Sequence, residues 1–142
     1  MIIFIHSPVM KKSIILFLSF ALCACNSSGS ERTDGLLKPK EFAQNLRYNP
    51  DIILIDVRSS AEMQTGYISG TKHLDYNASG FKQSLDSLDH SKTYFVYCAS
   101  GKRSGKTMEI MKEKGFKHVA AMDGGLRAWN ASGLPSYIPE NP

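Results

Sequence analysis

The sequence predicts a single α/β domain, an open and mostly parallel β-sheet flanked by helices on both faces. Ile52 to Ile55 and Tyr94 to Tyr97 are continuous apolar runs, and a strand apolar on both faces belongs inside a parallel sheet. Around these runs, helical and strand-like patterns alternate over roughly one hundred residues, the order expected of a sheet wound by crossover helices. A chain of 142 residues, 42% of them in the hydrophobic classes, has room for one compact core and not for two. In such a sheet, ligands bind beyond the carboxyl ends of the strands. No internal repeat is visible.

The elements follow in order. Pro39 to Tyr48 sets Phe42, Ala43 and Leu46 on one helical face. The strand Ile52 to Ile55 follows. Ser59 with Glu62 three residues on fits a capping box for a short helix. Lys72 to Asp75 reads as a strand, and Phe81 to Leu88 as a helix with Phe81, Leu85 and Leu88 aligned. After the strand Tyr94 to Tyr97 and a loop at Cys98, a helix is expected over Ser104 to Lys114, with Met108, Met111 and Ile110 turned inward and Gly115 ending it. Val119 to Met122 is a further strand. Gly124-Gly125 turns into a last helix through Ala128 and Trp129, a core residue, stopped by Gly133 and Pro135.

The N-terminus has a different character. Lys11-Lys12 precedes an apolar run, Ser13 to Leu22, too short to span a bilayer comfortably, which is a signal-peptide pattern covering residues 1–24. Translation starts at Met1 or at Met10; Lys11-Lys12 makes a better positive region than His6 does. The run ends Leu22-Cys23-Ala24-Cys25 and resembles the bacterial lipoprotein signal, in which the cysteine at the position of Cys25 is diacylated and becomes the new N-terminus. The other reading is an ordinary signal peptide cut near Ala24. Asn26 to Asp34 is rich in Ser, Gly and charge and reads as a flexible tether, so residues 25–34 would hold a domain of residues 35–138 at a membrane, with 139–142 as a tail.

Removing Lys11 and Lys12 from the 17 basic residues leaves 15 against 13 acidic ones. That small excess, without a basic block interleaved with aromatics, argues against nucleic acid as a partner. His73, His90 and His118 lack metal-ligand spacing and read as surface or packing residues; no metal and no cofactor is implied. With Cys23 removed and Cys25 lipidated, Cys98 is the one thiol of the mature chain. An exported protein with an unpaired cysteine raises the question of reactivity.

Cys98 stands at the carboxyl end of a buried strand, in Tyr97-Cys98-Ala99-Ser100-Gly101-Lys102-Arg103-Ser104. A tight loop there aims backbone N–H groups at one spot, and the following helix adds its positive end. Gly101 permits the curl, and small Ala99 and Ser100 leave the centre open. Such a cradle favours thiolate, with Lys102 and Arg103 adding positive field. A lone cysteine at a strand end is most often a small buried hydrophobe. The glycine and the paired cations have no place in that reading.

From about Leu37 to Pro135 the sequence resembles the rhodanese family of sulfurtransferases. Ile53-Leu54-Ile55-Asp56-Val57-Arg58 resembles the family's Asp-x-Arg stretch, followed by Glu62; Gly66-Tyr67-Ile68-Ser69-Gly70-Thr71 resembles its Gly-His-Ile-Pro-Gly-Ala stretch; Cys98 to Arg103 resembles its active-site loop; and Gly124-Gly125-Leu126, Trp129 and Gly133-Leu134-Pro135 resemble its closing motif. Tyr67 and Ser69 depart from the common His and Pro, at the rim of the site.

The resemblance implies that Cys98 attacks the outer sulfur of an anionic donor such as thiosulfate, becomes a persulfide, and passes the sulfur to a thiol, a cyanide-like acceptor or a protein. Backbone N–H groups of Ala99 to Arg103, with Ser104, would stabilise the persulfide. Lys102 and Arg103 would hold the donor, or Arg103 would brace the loop from outside. Asp56 and Arg58 either rim the site or brace loops. Phosphatase loops of this kind place five residues between Cys and Arg; four stand here, which favours a lone sulfur over a phosphate-sized group. A carrier or docking module without turnover is the alternative, since carrier and enzyme need the same persulfide.

Overall fold

A computed structural model describes residues 34–139. The signal-peptide and lipidation readings, with Cys25, the tether before Asp34 and the tail after Pro139, lie outside them. Ten elements follow one another: β1 (Gly35–Leu37), α1 (Pro39–Tyr48), β2 (Ile53–Asp56), α2 (Ser60–Met63), β3 (Lys72–His73), α3 (Phe81–Asp86), β4 (Thr93–Tyr97), α4 (Lys102–Glu113), β5 (His118–Met122) and α5 (Gly125–Ala131). All neighbouring strands pair in parallel, in the order β1-β5-β4-β2-β3. The expected open parallel sheet is therefore present.

Alternation along β4 explains why the sheet is covered twice. Phe95 and Tyr97 join Leu37, Phe42, Leu54, Leu126 and Trp129 on the side of α1 and α5. Tyr94, Val96 and Cys98 join Phe81, Leu85, Met111 and Phe116 on the side of α3 and α4. Both faces of β4 are thus core, as its unbroken apolar run requires. Trp129 is buried, and its Nε1–H donates to the Pro135 carbonyl at 3.0 Å, tying down the chain beyond α5.

Several boundaries differ from expectation. The strand β1 was not foreseen: three residues with one buried leucine carry too little pattern, and the strand exists through its pairing with β5, as in Leu37 opposite Met122. Helix α4 starts at Lys102 rather than Ser104, because Gly101 at φ +87° turns the chain in one residue. Ser104, Thr107 and Met111 form its buried stripe, while Met108 and Ile110 are half-buried. Strand β3 stops at His73 instead of Asp75, on the exposed sheet edge, and α3 ends at Asp86, two residues before Leu88.

Topology singles out one crevice. From the end of β2 the chain leaves outward to β3, and from the end of the adjacent β4 it leaves in the opposite direction to β5. Loops that diverge from neighbouring strands open a cleft at their carboxyl ends. Arg58 and Glu62 follow β2 there, and Cys98 and Arg103 follow β4.

Candidate active site

Cys98 follows β4 directly and is fully buried. The Gly101 N–H donates to its Sγ at 3.2 Å, and the Ser104 hydroxyl lies 3.5 Å from it. Burial alone would push the thiol up, but the Ser104 hydroxyl and the N–H groups of Ser104, Ser100 and Gly101 outweigh it, so the thiol is held below its ordinary value. The Ser104 hydroxyl also reaches the Gly101 carbonyl at 3.2 Å. Its one proton goes to the sulfur once the sulfur is charged, since a hydrogen bond to an ion is the stronger of the two.

The loop is aimed from behind. Leu126 N–H donates to the Cys98 carbonyl at 2.7 Å and Arg127 N–H to the Ala99 carbonyl at 3.1 Å. A trans peptide points its N–H opposite to its C=O. Fixing the Ala99 carbonyl on α5 therefore turns the Ser100 N–H toward the sulfur. This contact needs a residue without a side chain: a Cβ on Gly125, at φ +59°, would lie 2.3 Å from the Cys98 oxygen and 2.7 Å from the Gly101 nitrogen.

Arg103 lies in the first turn of α4, and its guanidinium grips Glu62 with two bonds, Nη1 to Oε2 at 2.8 Å and Nη2 to Oε1 at 2.6 Å. That clamp, above all, lowers the Glu62 carboxyl to about 2. The same carboxylate accepts from the Ser59 N–H at 3.1 Å, completing the expected capping box. Glu62 thus joins the helix after β2 to the first turn of α4 across the cleft.

Asp56 and Arg58 lie beneath. Both are buried; Arg58 Nη2 meets Asp56 Oδ2 at 2.7 Å, and its remaining donors reach the carbonyls of Gly66 at 2.7 Å and Glu62 at 3.0 Å. The pair braces α2 and the loop at Gly66, and its donors are engaged there. Tyr97 packs against the Arg58 guanidinium and accepts from the Ile68 N–H at 3.1 Å.

Of the residues singled out from sequence, Cys98, Ser100, Gly101 and Ser104 gather at the sulfur; Ala99 contributes its carbonyl to the backing; Lys102 is exposed; and Arg103 is engaged with Glu62. Sequence reasoning missed the Glu62–Arg103 bridge and the backing by Gly125, Leu126 and Arg127; the Gly124-Gly125 dipeptide was the available signal for the latter. His73 Nε2 sits 2.7 Å from the Arg58 carbonyl, His90 stacks on Phe116, and His118 faces Asp34. Among the described residues no three His, Cys, Asp or Glu side chains gather as a metal site. A groove of about 670 Å³ along α1 and α5, lined by Lys40, Leu46, Arg47 and Trp129 among others, does not include the Cys98 loop. The chemistry follows the converging donors and not the volume.

An uncharacterized protein of Synechocystis is 30% identical over 114 residues, 80% of this chain, which spans only 62% of that protein's length. The thiosulfate sulfurtransferase GlpE of Glaesserella parasuis is 30% identical over 105 residues, 74% of this chain and 94% of that protein. Among solved structures, the polysulfide-sulfur transferase homodimer of Wolinella succinogenes superposes with a TM-score of 0.63 at 32% identity, over 74% of this chain and 79% of that one. With the rhodanese-like domain matching residues 38–132, this chain belongs to the rhodanese-like domain family.

Proposed function

We propose that the domain is a sulfurtransferase that carries sulfane sulfur on Cys98. One observation supports this above the rest: a buried sulfur meets the Gly101 N–H at 3.2 Å and the Ser104 hydroxyl at 3.5 Å, and its thiol is held below the ordinary range despite burial. A cysteine serving only as packing has no use for such donors.

In the first step the Cys98 thiolate attacks the outer sulfur of thiosulfate. The Sγ–S bond forms, the S–S bond of the donor breaks, and its electron pair leaves on sulfite. The persulfide anion is stabilised by the same donors, as an oxyanion is in its hole. In the second step a thiophile such as cyanide takes the outer sulfur as thiocyanate and returns the thiolate. A thiol of a small molecule or of a protein partner serves equally as acceptor. Four residues between Cys98 and Arg103, and the engagement of Arg103 with Glu62, favour a single sulfur over a phosphoryl group at this site.

The proposal extends to location: an exported domain tethered to a membrane of the cell envelope through a lipid on Cys25. Asp34 enters the fold beside the start of β5, its Oδ1 accepting from the Val119 N–H at 2.9 Å, whereas Cys98 leaves the opposite end of the sheet. A tether arriving there would leave the cysteine facing away from the membrane. Loss of the protein from the membrane fraction in Cys25→Ser tests the anchor.

Intact mass of the protein after incubation with thiosulfate tests the chemistry. A gain of about 32 Da, removed by cyanide and absent in Cys98→Ser, is expected. No adduct from thiosulfate or from a reactive persulfide overturns the reading and leaves a binding module. Adduct without continuous thiocyanate release identifies a carrier.

A further inference from the structure

Resting on the sulfurtransferase reading, we propose that the Glu62–Arg103 bridge is a gate over Cys98: the two side chains close the cleft above the sulfur, and donor and acceptor reach it only while they are parted. Cys98 is 0% exposed, so no donor touches its sulfur in this conformation and something must move for the reaction to run. Val57, Phe81 and Met111 share its packed cluster, and the Gly101 N–H and the buried Ser104 hydroxyl meet the sulfur from the loop and from α4. None of these withdraws without breaking the core or the cradle. Arg103 is different. Its charge is favoured by Glu62 above all and after that by the Cys98 sulfur, so the guanidinium lies against both. Its side chain is 24% exposed, which sets it between the sulfur and water.

The moving parts are side chains and not backbone. The Glu62 carbonyl accepts from Arg58 Nη1 at 3.0 Å and from the Thr65 hydroxyl at 2.7 Å, and the Arg103 carbonyl accepts from the Thr107 hydroxyl at 2.9 Å. Both residues are thereby anchored, while the carboxylate and the guanidinium meet at the surface by two bonds of 2.8 and 2.6 Å. A pair with a third of the carboxylate residue's side chain in water is held weakly, because water takes over both partners as they part. Rotation about side-chain bonds therefore opens the cleft and leaves Gly101 and Ser104 on the sulfur. The cradle sets how readily the thiol ionises; the bridge sets how often the thiolate is reached.

The test measures alkylation of Cys98 on the full chain by iodoacetamide, a small neutral reagent, read by intact mass. The pH is raised until the rate no longer climbs, so that the plateau reports access and not ionisation. Glu62→Ala and Arg103→Ala each remove one half of the bridge and should raise the plateau roughly three- to tenfold, the factor that a half-exposed ion pair corresponds to. The double variant should rise no further than either single one, since one gate is being opened. Added salt should speed the wild-type reaction and leave that of Glu62→Ala unchanged. Gly133→Ala, which weakens the fold away from the bridge, should keep the wild-type plateau. Plateaus unchanged or lowered in both single variants overturn the gate, as do additive gains in the double variant or a rise in Gly133→Ala equal to theirs. Iodoacetamide needs only a reachable thiolate, so these outcomes do not depend on sulfur transfer. A chain that shows the gate yet takes sulfur from neither thiosulfate nor an alkyl hydropersulfide overturns the sulfurtransferase reading instead.

Discussion

Replacing Gly125 with alanine is expected to disable the site and weaken the fold together, because one methyl group meets the backbone of the loop that holds Cys98. Gly125 has φ +59°, where an L-residue costs about 1–2 kcal/mol. Its Cβ would stand 2.3 Å from the Cys98 oxygen and 2.7 Å from both the Ala99 carbonyl carbon and the Gly101 nitrogen. All three are backbone atoms, so no rotamer change relieves the overlap; loop and helix must part by about 1 Å to reach ordinary contact. Separation on that scale breaks the bonds from Leu126 N–H to the Cys98 carbonyl and from Arg127 N–H to the Ala99 carbonyl, each worth about 0.5–1.5 kcal/mol. The total is about 2–5 kcal/mol of stability, read as a fall in Tm of roughly 10 °C or more. Persulfide formation should slow on the order of 100-fold, since a 1 Å misplacement of reacting groups costs about that much. Gly133→Ala is the matched control: φ is +72° but nothing lies within 4 Å of its Cβ, so only the conformational cost of about 1–2 kcal/mol remains. Thermal denaturation and intact-mass kinetics on both variants decide. Equal stability loss in the two, with persulfidation of Gly125→Ala near wild type, would refute the reasoning.

Three further outcomes are expected. Because the Glu62 carboxyl sits at about 2 in the fold and near 4.3 when unfolded, its clamp on Arg103 stabilises the protein above the unfolded value and is lost as pH falls toward 2; the stability gap between wild type and Glu62→Gln should close over that window in urea titrations, and a gap constant with pH counts against the clamp. Ser104→Ala removes one of the donors that lower the Cys98 thiol, so the midpoint of its pH–alkylation curve with iodoacetamide should move upward, and an unmoved midpoint removes the hydroxyl from the cradle. Asp56→Asn strands the buried Arg58 charge and should cost about 3–5 kcal/mol in denaturant; full stability with altered donor saturation instead would put Asp56 at the rim of the site.

What the sequence disclosed and what it withheld divide along range. The strand at Tyr94 to Tyr97, the loop after Cys98 and the capping box of Ser59 and Glu62 are written in neighbouring residues, and periodicity or spacing finds them. The second task of Glu62 is not, because its partner Arg103 lies 41 residues away and reaches it only when β2 and β4 pair. Gly124-Gly125 announces a turn, but nothing local says that Gly125 will press against the Cys98 carbonyl. β1 owes its existence to β5, its hydrogen-bonding partner from the far end of the domain. Asp56 and Arg58 were visible as a pair, while their role depended on burial and on the Gly66 and Glu62 carbonyls that Arg58 holds.

Burial and activation at Cys98 oppose each other, and the balance between them explains the construction of the site. A thiol removed from water without donors becomes inert, because its anion loses hydration. A thiol left in water ionises more easily, but its persulfide stands open to every passing thiol, which attacks sulfur–sulfur bonds through the thiolate. Here the sulfur is fully buried, yet its thiol lies below the ordinary value because backbone N–H groups and one hydroxyl replace the lost water. The Ser100 N–H among them is aimed at the sulfur by the Ala99 carbonyl on the same peptide, which the first turn of α5 holds. The reactivity of the cysteine is therefore set in part from behind the loop, by residues that touch neither the sulfur nor a donor approaching it. Substitutions at Gly125 that disturb this backing should act on the thiol's ionisation and on persulfide lifetime together, whereas substitutions at exposed Lys102 should change donor saturation and leave both of those unmoved.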